Sequence, residues 1–324
     1  MAPEKSIAFV GLGRMGYRMA SNLRKKMPKE TPLYINDLNL EACKMFAEEH
    51  ADFGPVHIVK SAKEAATQAK VLISVVTASP HVRSLYLDDQ TGIILAPKDP
   101  DRIMLECSTI DLTTTREVER ELSEAGIGTY VDAPISGGIK RAREGTLAFM
   151  IGHPGNPDSD PVAQRIYNII KTMAHEDRIT FCGTFSTGLA AKIANNYAAC
   201  NNMVTLAEAF AMGMANGVDR KVLFECMRNS SGASWALEYA QPVPGIVPGP
   251  ASNKYEVSFV IPMIIKDVAL GVDMAKLGDT PAQMGETSLK IYEAADKDPR
   301  CKNLDCTSVW LHLSDCRFDP EFQK

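Results

Sequence analysis

The stretch SIAFVGLGRMGYRMASNL, residues 6–23, constrains this chain more than any other, because it passes from an apolar strand into a helix through glycines at 11, 13 and 16. In a G-x-G-x-x-G run set between strand and helix, the first glycine permits the tight turn. The second lets a pyrophosphate approach the backbone, and the third lets the helix pack on the strand. The helix N-terminus then faces the phosphates. A second apolar strand, PLYIND, ends in Asp37 at about the spacing at which an acid grips the adenine ribose hydroxyls. Taken alone, the glycines would serve equally well as a tight turn and Asp37 as a solvated loop acid. With strand, glycines, helix and acid in this order, Gly11, Leu12, Gly13, Arg14, Met15, Gly16 and Asp37 form a candidate NAD site. The Asp37 carboxylate would repel a ribose 2′-phosphate, so NAD is expected rather than NADP.

The pattern downstream extends this start. Apolar runs at IAFVG, PLYIND, VHIV, VLISVV, RIMLEC and TYVDAP are separated by helical stretches such as EACKMFAEEH, AKEAATQA and LTTTREVERELSEAG. Such alternation predicts βαβ units and an α/β fold with a Rossmann-type, doubly wound parallel sheet. LAFMIG and ITFCG add two short strands. After Gly183 the strand pattern stops. A long helix is expected from about Ser186 to Ala215, then helical segments near 220–228, 259–277, 280–295 and 304–314, interrupted by the loop QPVPGIVPGPAS. The expected organisation is an NAD-binding domain over 1–183 and an all-helical substrate and oligomerisation domain over 184–324, with the long helix as its first element.

That helix carries the second constraint. Between Ser186 and Val218 the only charged residues are Lys192 and Glu208. A helix apolar or small on nearly all faces is usually buried, and a buried ammonium is costly unless it is partnered. Either Lys192 is paired or used in chemistry, or it snorkels from a partly exposed face with its stem over apolar surface. Asn196 follows four residues on, hence on the same face.

Composition narrows the partners. A formal net charge of −5 with intermingled signs leaves no basic footprint, which argues against nucleic acid and anionic membrane. No uninterrupted apolar run reaches the length of a membrane span. The eight cysteines are scattered, without C-x-x-C or zinc spacing beside histidines, so they read as ordinary thiols in a reducing compartment, and no metal is expected. The start, MAPEKSIAFV, has neither the arginines nor the apolar run of a leader.

Ligands of such sheets bind beyond the carboxyl ends of the strands. Thr77-Ala78-Ser79 follows VLISVV and Ser108-Thr109-Ile110 follows RIMLEC, each offering hydroxyls and backbone donors beside the expected nicotinamide, or simply helix caps and turns. Ser136-Gly137-Gly138, after a third strand, joins a hydroxyl to successive unobstructed amides. This is an anion nest suited to a substrate carboxylate, or a tight turn.

These residues together carry a resemblance. GLGRMG with Asp37, CSTID at 107–111, DAPISGG at 132–138, REGTLAFMIG at 143–152, CGTFSTG at 182–188 leading to Lys192 and Asn196, NSSG at 229–232, QPVPG at 241–245 and Lys266-Asp267 are similar to the β-hydroxyacid dehydrogenase family over essentially the whole chain. The extension past NSSG points to its hydroxyisobutyrate branch. The resemblance implies that Lys192 is the catalytic lysine and that Asn196 helps to hold substrate. It implies that Ser136, Gly137 and Gly138 bind the substrate carboxylate, that Lys266 lies near cofactor and substrate, and that Val76, Thr77 and Thr109 border the NAD. The chain departs from the family pattern where Val76-Thr77 replaces Leu-Pro, where His81 stands in place of a common asparagine, and where Glu106 replaces an aspartate.

The reading that results is NAD-dependent oxidation of a small 3-hydroxy acid, 3-hydroxyisobutyrate, with a homodimer or homotetramer expected. One alternative is a reductase of small aldehyde acids such as glyoxylate, succinic semialdehyde or tartronate semialdehyde. Those enzymes often use NADP, which Asp37 disfavours. Another is a dinucleotide-binding protein that has lost catalysis, which the joint presence of Lys192, Asn196 and Ser136 disfavours. Valine catabolism would place the enzyme in mitochondria in a eukaryote and in the cytoplasm otherwise.

Overall fold

A computed structural model of the chain describes residues 6–322. Its contacts divide the chain into two compact units, one ending at Lys192 and the other beginning at Ile193, so the division falls within a long helix rather than ahead of it.

The first unit opens with β1 (Ile7–Val10), α1 (Gly16–Lys26), β2 (Leu33–Asn36), α2 (Leu40–Glu49), β3 (Val56–Ile58) and α3 (Ala62–Gln68). It continues through β4 (Val71–Ser74), α4 (Ser79–Leu87), β5 (Ile103–Glu106), α5 (Leu112–Ala125) and β6 (Thr129–Asp132). The six strands lie in the order β3-β2-β1-β4-β5-β6, and every neighbouring pair is parallel. This is the Rossmann-type sheet that the alternation predicts. The central strands β1, β4 and β5 are buried along their whole length, as strands covered by helices on both faces must be. Phe9, Ile73 and Leu105 sit in one core with Met19 and Leu23 of α1. Helix starts are fixed locally: Asn39 caps α2, Ser61 caps α3 and Asp111 caps α5, each side chain accepting from first-turn amides.

The chain then makes β7 (Ile135–Ser136), α6 (Gly138–Glu144), β8 (Leu147–Ile151), α7 (Pro161–Ile170) and β9 (Ala174–Phe181). LAFMIG and ITFCG do form strands, yet in a separate sheet, β7-β8-β9, in which β7 runs antiparallel to β8 and β9 parallel to it. Strand β9 begins earlier than its apolar residues suggest, because its first half, Ala174–Arg178, is a polar and mostly exposed strand that alternation alone does not reveal.

The long helix α8 (Thr187–Ala215) bridges the two units in sequence. It is buried on one side only. Leu189, Lys192, Ile193, Cys200, Met203, Val204, Leu206, Ala207 and Phe210 are buried, whereas Ala194, Asn195, Ala198, Asn202, Thr205, Glu208 and Met212 form an exposed stripe at helical spacing. The inference that a nearly uncharged helix is buried all round is therefore corrected: small and amide side chains are soluble enough to face water without charge. The rest of the second unit is helical, with α9 (Arg220–Arg228), α10 (Trp235–Tyr239), α11 (Ile261–Leu277), α12 (Gln283–Lys297) and α13 (Val309–Leu313). Trp310, Tyr292, Phe210 and Tyr255 are fully buried in its core. Among the described residues no helix is long and apolar enough to cross a membrane.

Candidate active site

In the glycine turn of the first unit, Gly11 has φ +94° and its missing side chain leaves room for the carbonyl of Val75, while a Cβ on Gly16 would collide with the carbonyl of Gly11. A Cβ on Gly13 would meet nothing within 4 Å. The first and third glycines are thus consumed by packing and the second opens outward, the division of roles a pyrophosphate site needs. Helix α1 has no side-chain cap and no acid in its first turn, which leaves its positive end to an anion. Asp37, at the end of β2, accepts from the amides of Leu12 at 2.5 Å and Asn39 at 2.7 Å, so the carboxylate is anchored to the turn it is expected to serve. These features fit NAD. Arg14 and Gly13 are exposed and Met15 half-buried along the same turn.

Two further loops leave the ends of β4 and β5. Thr77 is exposed, while Val76 and Thr109 are half-buried. Ser108 ties the two loops together, its hydroxyl accepting from the Val76 amide at 2.7 Å. Beneath them lies Glu106, 1% exposed, whose carboxyl accepts from the Ser108 amide at 2.7 Å and is bonded to the Ser74 hydroxyl at 2.5 Å. Burial pushes this acid up to about 7 against the pull of those hydrogen bonds. His81, by contrast, is exposed on α4.

The third strand end joins two segments remote in sequence. Ser136 closes β7, and Gly137 and Gly138 follow with φ +134° and +67°, on the positive side of φ that glycine adopts most readily. A Cβ on Gly138 would meet nothing within 4 Å, so its backbone is open to a ligand. Four residues before Ser136, Asp132 ends β6, 1% exposed, and its two oxygens accept from the amides of Ser186 at 2.8 Å and Leu189 at 2.7 Å. One carboxyl from the sheet thereby caps the first turn of α8, the helix that carries Lys192. The fit is close, because a Cβ on Gly152 would strike the Asp132 carboxyl and a Cβ on Gly188 would strike the Met150 carbonyl. Burial raises Asp132 to about 6, and the two capping amides work against that rise. Lys192 is 7% exposed, which decides against a lysine snorkelling to water.

In the second unit, Asn196 lies one turn beyond Lys192 on α8. Its side-chain amide donates to Asp267 at 2.8 Å, and the other Asp267 oxygen lies 3.2 Å from Lys266 Nζ. Asp267 is 6% exposed. The structure thus brings together Asn196 and Lys266, which are 70 residues apart in the chain, through a carboxylate to which the sequence reading gave no role. Asp132 and Glu106 were likewise given none. Their signal in the sequence is faint: an acid as the last residue of an otherwise apolar strand.

The chain is similar to known proteins over nearly its whole length. Residues 6–188 match the family described as the NAD binding domain of 6-phosphogluconate dehydrogenase, and residues 186–310 the family described as NAD-binding of NADP-dependent 3-hydroxyisobutyrate dehydrogenase. The chain is 37% identical over 289 residues to an NAD-dependent L-serine dehydrogenase of Pseudomonas aeruginosa, covering 89% of this chain and 91% of that one. It is 32% identical to the mitochondrial 3-hydroxyisobutyrate dehydrogenase of Mus musculus, covering 97% and 88%. Among solved structures, the Mycobacterium tuberculosis 3-hydroxyisobutyrate dehydrogenase with L-serine superposes with a TM-score of 0.82 at 31% identity, covering 97% of this chain and 99% of that one.

Proposed function

Since the chain belongs to the β-hydroxyacid dehydrogenase family and is an NAD-dependent enzyme of it, we propose that it oxidises 3-hydroxyisobutyrate to methylmalonate semialdehyde, a step in valine breakdown. The observation that carries this reading is the Asp132 bridge. It fixes the start of the Lys192 helix against the strand that leads into Ser136-Gly137-Gly138. A carboxylate-binding turn and a proton-transferring amine tied to the same strand end suit a short acid whose hydroxyl stands at a set distance from its carboxylate.

NAD, when bound, supplies the hydride acceptor. Ser136 and the amides of Gly137 and Gly138 hold the substrate carboxylate and so align the carbinol carbon. Lys192 takes the proton from the C3 hydroxyl as the carbonyl forms and returns it in the reverse direction. A positioned amine of this kind is suited to general acid and base work in the two directions. Asn196 orients the hydroxyl, and Asp267 keeps the Asn196 amide turned by accepting its N–H. Lys266, paired with the same Asp267, adds a positive charge for cofactor and substrate.

L-Serine is a second candidate substrate, favoured by the 37% identical relative and by the L-serine in the superposed structure. It offers the same carboxylate and C3 hydroxyl, with an ammonium in place of a methyl at C2. Initial rates of NADH formation decide between them, comparing 3-hydroxyisobutyrate with L-serine, glycerate and 4-hydroxybutyrate, and NAD with NADP. Selective turnover of 3-hydroxyisobutyrate with NAD is expected. A preference for L-serine moves the assignment to serine oxidation. We further propose a homodimer or homotetramer, placed in the mitochondrial matrix if the source is a eukaryote and in the cytoplasm otherwise.

A further inference from the structure

Glu106 plays no part in the proton transfer above, yet it is one of the most completely buried acids of the molecule and holds four chain positions at once. Its Oε1 accepts from the Ser108 amide at 2.7 Å. Its Oε2 lies 2.5 Å from the Ser74 hydroxyl, which lies 2.6 Å from the hydroxyl of Tyr86 on α4. The Ser108 hydroxyl, also bonded to Glu106, accepts from the amide of Val76. The carboxyl thus sits under the loops that leave β4 and β5, where the ligand of such a sheet binds. We propose that Glu106 is a positioning residue for NAD, clamping these two loops through Ser74 and Ser108, and that gain of a proton on its carboxyl loosens the clamp.

The two proton states differ in what they can bind. As a carboxylate, Glu106 accepts from the Ser108 amide, the Ser108 hydroxyl and the Ser74 hydroxyl, and hydrogen bonds to a charged acceptor are the stronger kind. With its hydroxyl proton drawn to the carboxylate, Ser108 presents a lone pair to the Val76 amide, and the loops are locked. As a neutral acid, Glu106 donates to Ser74 instead, Ser74 turns to donate to Tyr86, and the charge that held Ser108 is gone. The group is poised for this change, since burial raises it to about 7. The titratable groups facing it are Tyr86 from α4, Tyr130 from β6 and the adjacent Cys107, all pushed up by burial and hence neutral around pH 7. Asp132 is its register partner on β6. Burial raises Asp132 as well, so it too can share in the titration of this strand end.

The test titrates the full chain with NAD alone, by calorimetry, from pH 5.5 to 8.5. No hydroxy acid is present, so the result is independent of the substrate assignment. The wild-type affinity is expected to weaken roughly 3- to 10-fold, about the worth of one hydrogen bond, as pH falls through 7. Glu106→Gln mimics the neutral acid, its amide donating to Ser74. It is expected to bind at the weak acid-side level at every pH, with circular dichroism checking its fold. Ser74→Ala removes one donor to the carboxylate and is expected to move the midpoint of the wild-type curve upward. A flat wild-type curve overturns the proposal, as does a Glu106→Gln protein that keeps the wild-type slope. If Glu106→Gln fails to fold, Ser74→Ala decides, and an unmoved midpoint overturns the proposal.

Discussion

Glu106 and Asp132 face each other in register at the ends of adjacent strands, and both are buried acids raised by desolvation, to about 7 and about 6. Their partners differ. Glu106 acts on its own neighbourhood, the loops after β4 and β5. Asp132 reaches across more than fifty residues to cap α8. The same chemical device, an acid in place of the last apolar residue of a strand, therefore serves the loops after β4 and β5 at one strand and the start of the lysine-bearing helix at the next. Asp267, in the helical unit, works differently again, since it joins two side chains rather than backbone amides. At the two strand ends the acids order backbone, whereas on the helix the acid orders side chains.

Substitutions that separate the two sides test this division of labour, and the largest effect belongs to Lys192. Lys192→Ala is expected to lower kcat by ~100 to 10,000-fold while calorimetry shows NAD affinity unchanged. Near-normal turnover would remove the lysine from the mechanism. Asp132→Ala leaves the amides of Ser186 and Leu189 without their acceptor and is expected to lower kcat roughly 10- to 100-fold, in line with 1–3 kcal/mol for an unsatisfied buried donor. Measured at pH 8.5, where Glu106 is ionised, NAD affinity should fall far less than kcat. An equal loss of both would show that the two strand ends are not independent.

A third experiment concerns the cost of the buried charge. The folded value of Glu106 stands above its ordinary 4.5, so the stability it contributes is complete below pH 4.5 and is lost as pH rises through about 7. Asp132 adds a change of the same sign between 3.8 and about 6. Urea unfolding should therefore show Glu106→Gln to be more stable than wild type at pH 8, by up to about 3 kcal/mol. The difference should vanish near pH 4.5. Equal stability of the two proteins at pH 8 would mean that the ionised acid is better compensated than its burial implies.

Asp267→Ala frees the Asn196 amide and should raise the KM for the hydroxy acid roughly 3- to 10-fold, the worth of a hydrogen bond, and an unchanged KM would remove Asn196 from substrate binding. The smallest effect is expected at His81, an exposed departure from the family pattern. His81→Ala should leave steady-state rates within about twofold, as surface changes usually do, and a larger loss would assign the histidine to the site.

What could be read from the sequence was what lies close in the sequence. The glycine turn, Asp37 one βα unit later, and Lys192 with Asn196 one helical turn apart are all local patterns with a physical reason for their spacing. The six parallel strands were legible because apolar runs bounded by helices leave little choice of architecture. The polar half of β9 was not, since an exposed strand carries no apolar alternation. Nor was the exposed stripe of α8, where alanine, asparagine and threonine are equally at home in a core or in water. Asp132, Glu106 and Asp267 were out of reach for a different reason: each has at least one partner set by tertiary packing. Asp267 meets an asparagine 71 residues away, and no spacing rule announces such a pair.

The cap that Asp132 places on α8 also bears on the order in which the molecule is made. The amides it accepts from lie 54 and 57 residues further along the chain, so closing this contact requires a long loop to be shut, a cost that local helix formation does not share. On a growing chain, β6 emerges well before Leu189, and the helix can coil by itself at once. Its first turn nevertheless has nothing to lock onto until the sheet has been completed as far as its sixth strand. Lys192 thus reaches its final place late, and a chain with a formed helix and an unfinished sheet would carry it without the contact that fixes its direction.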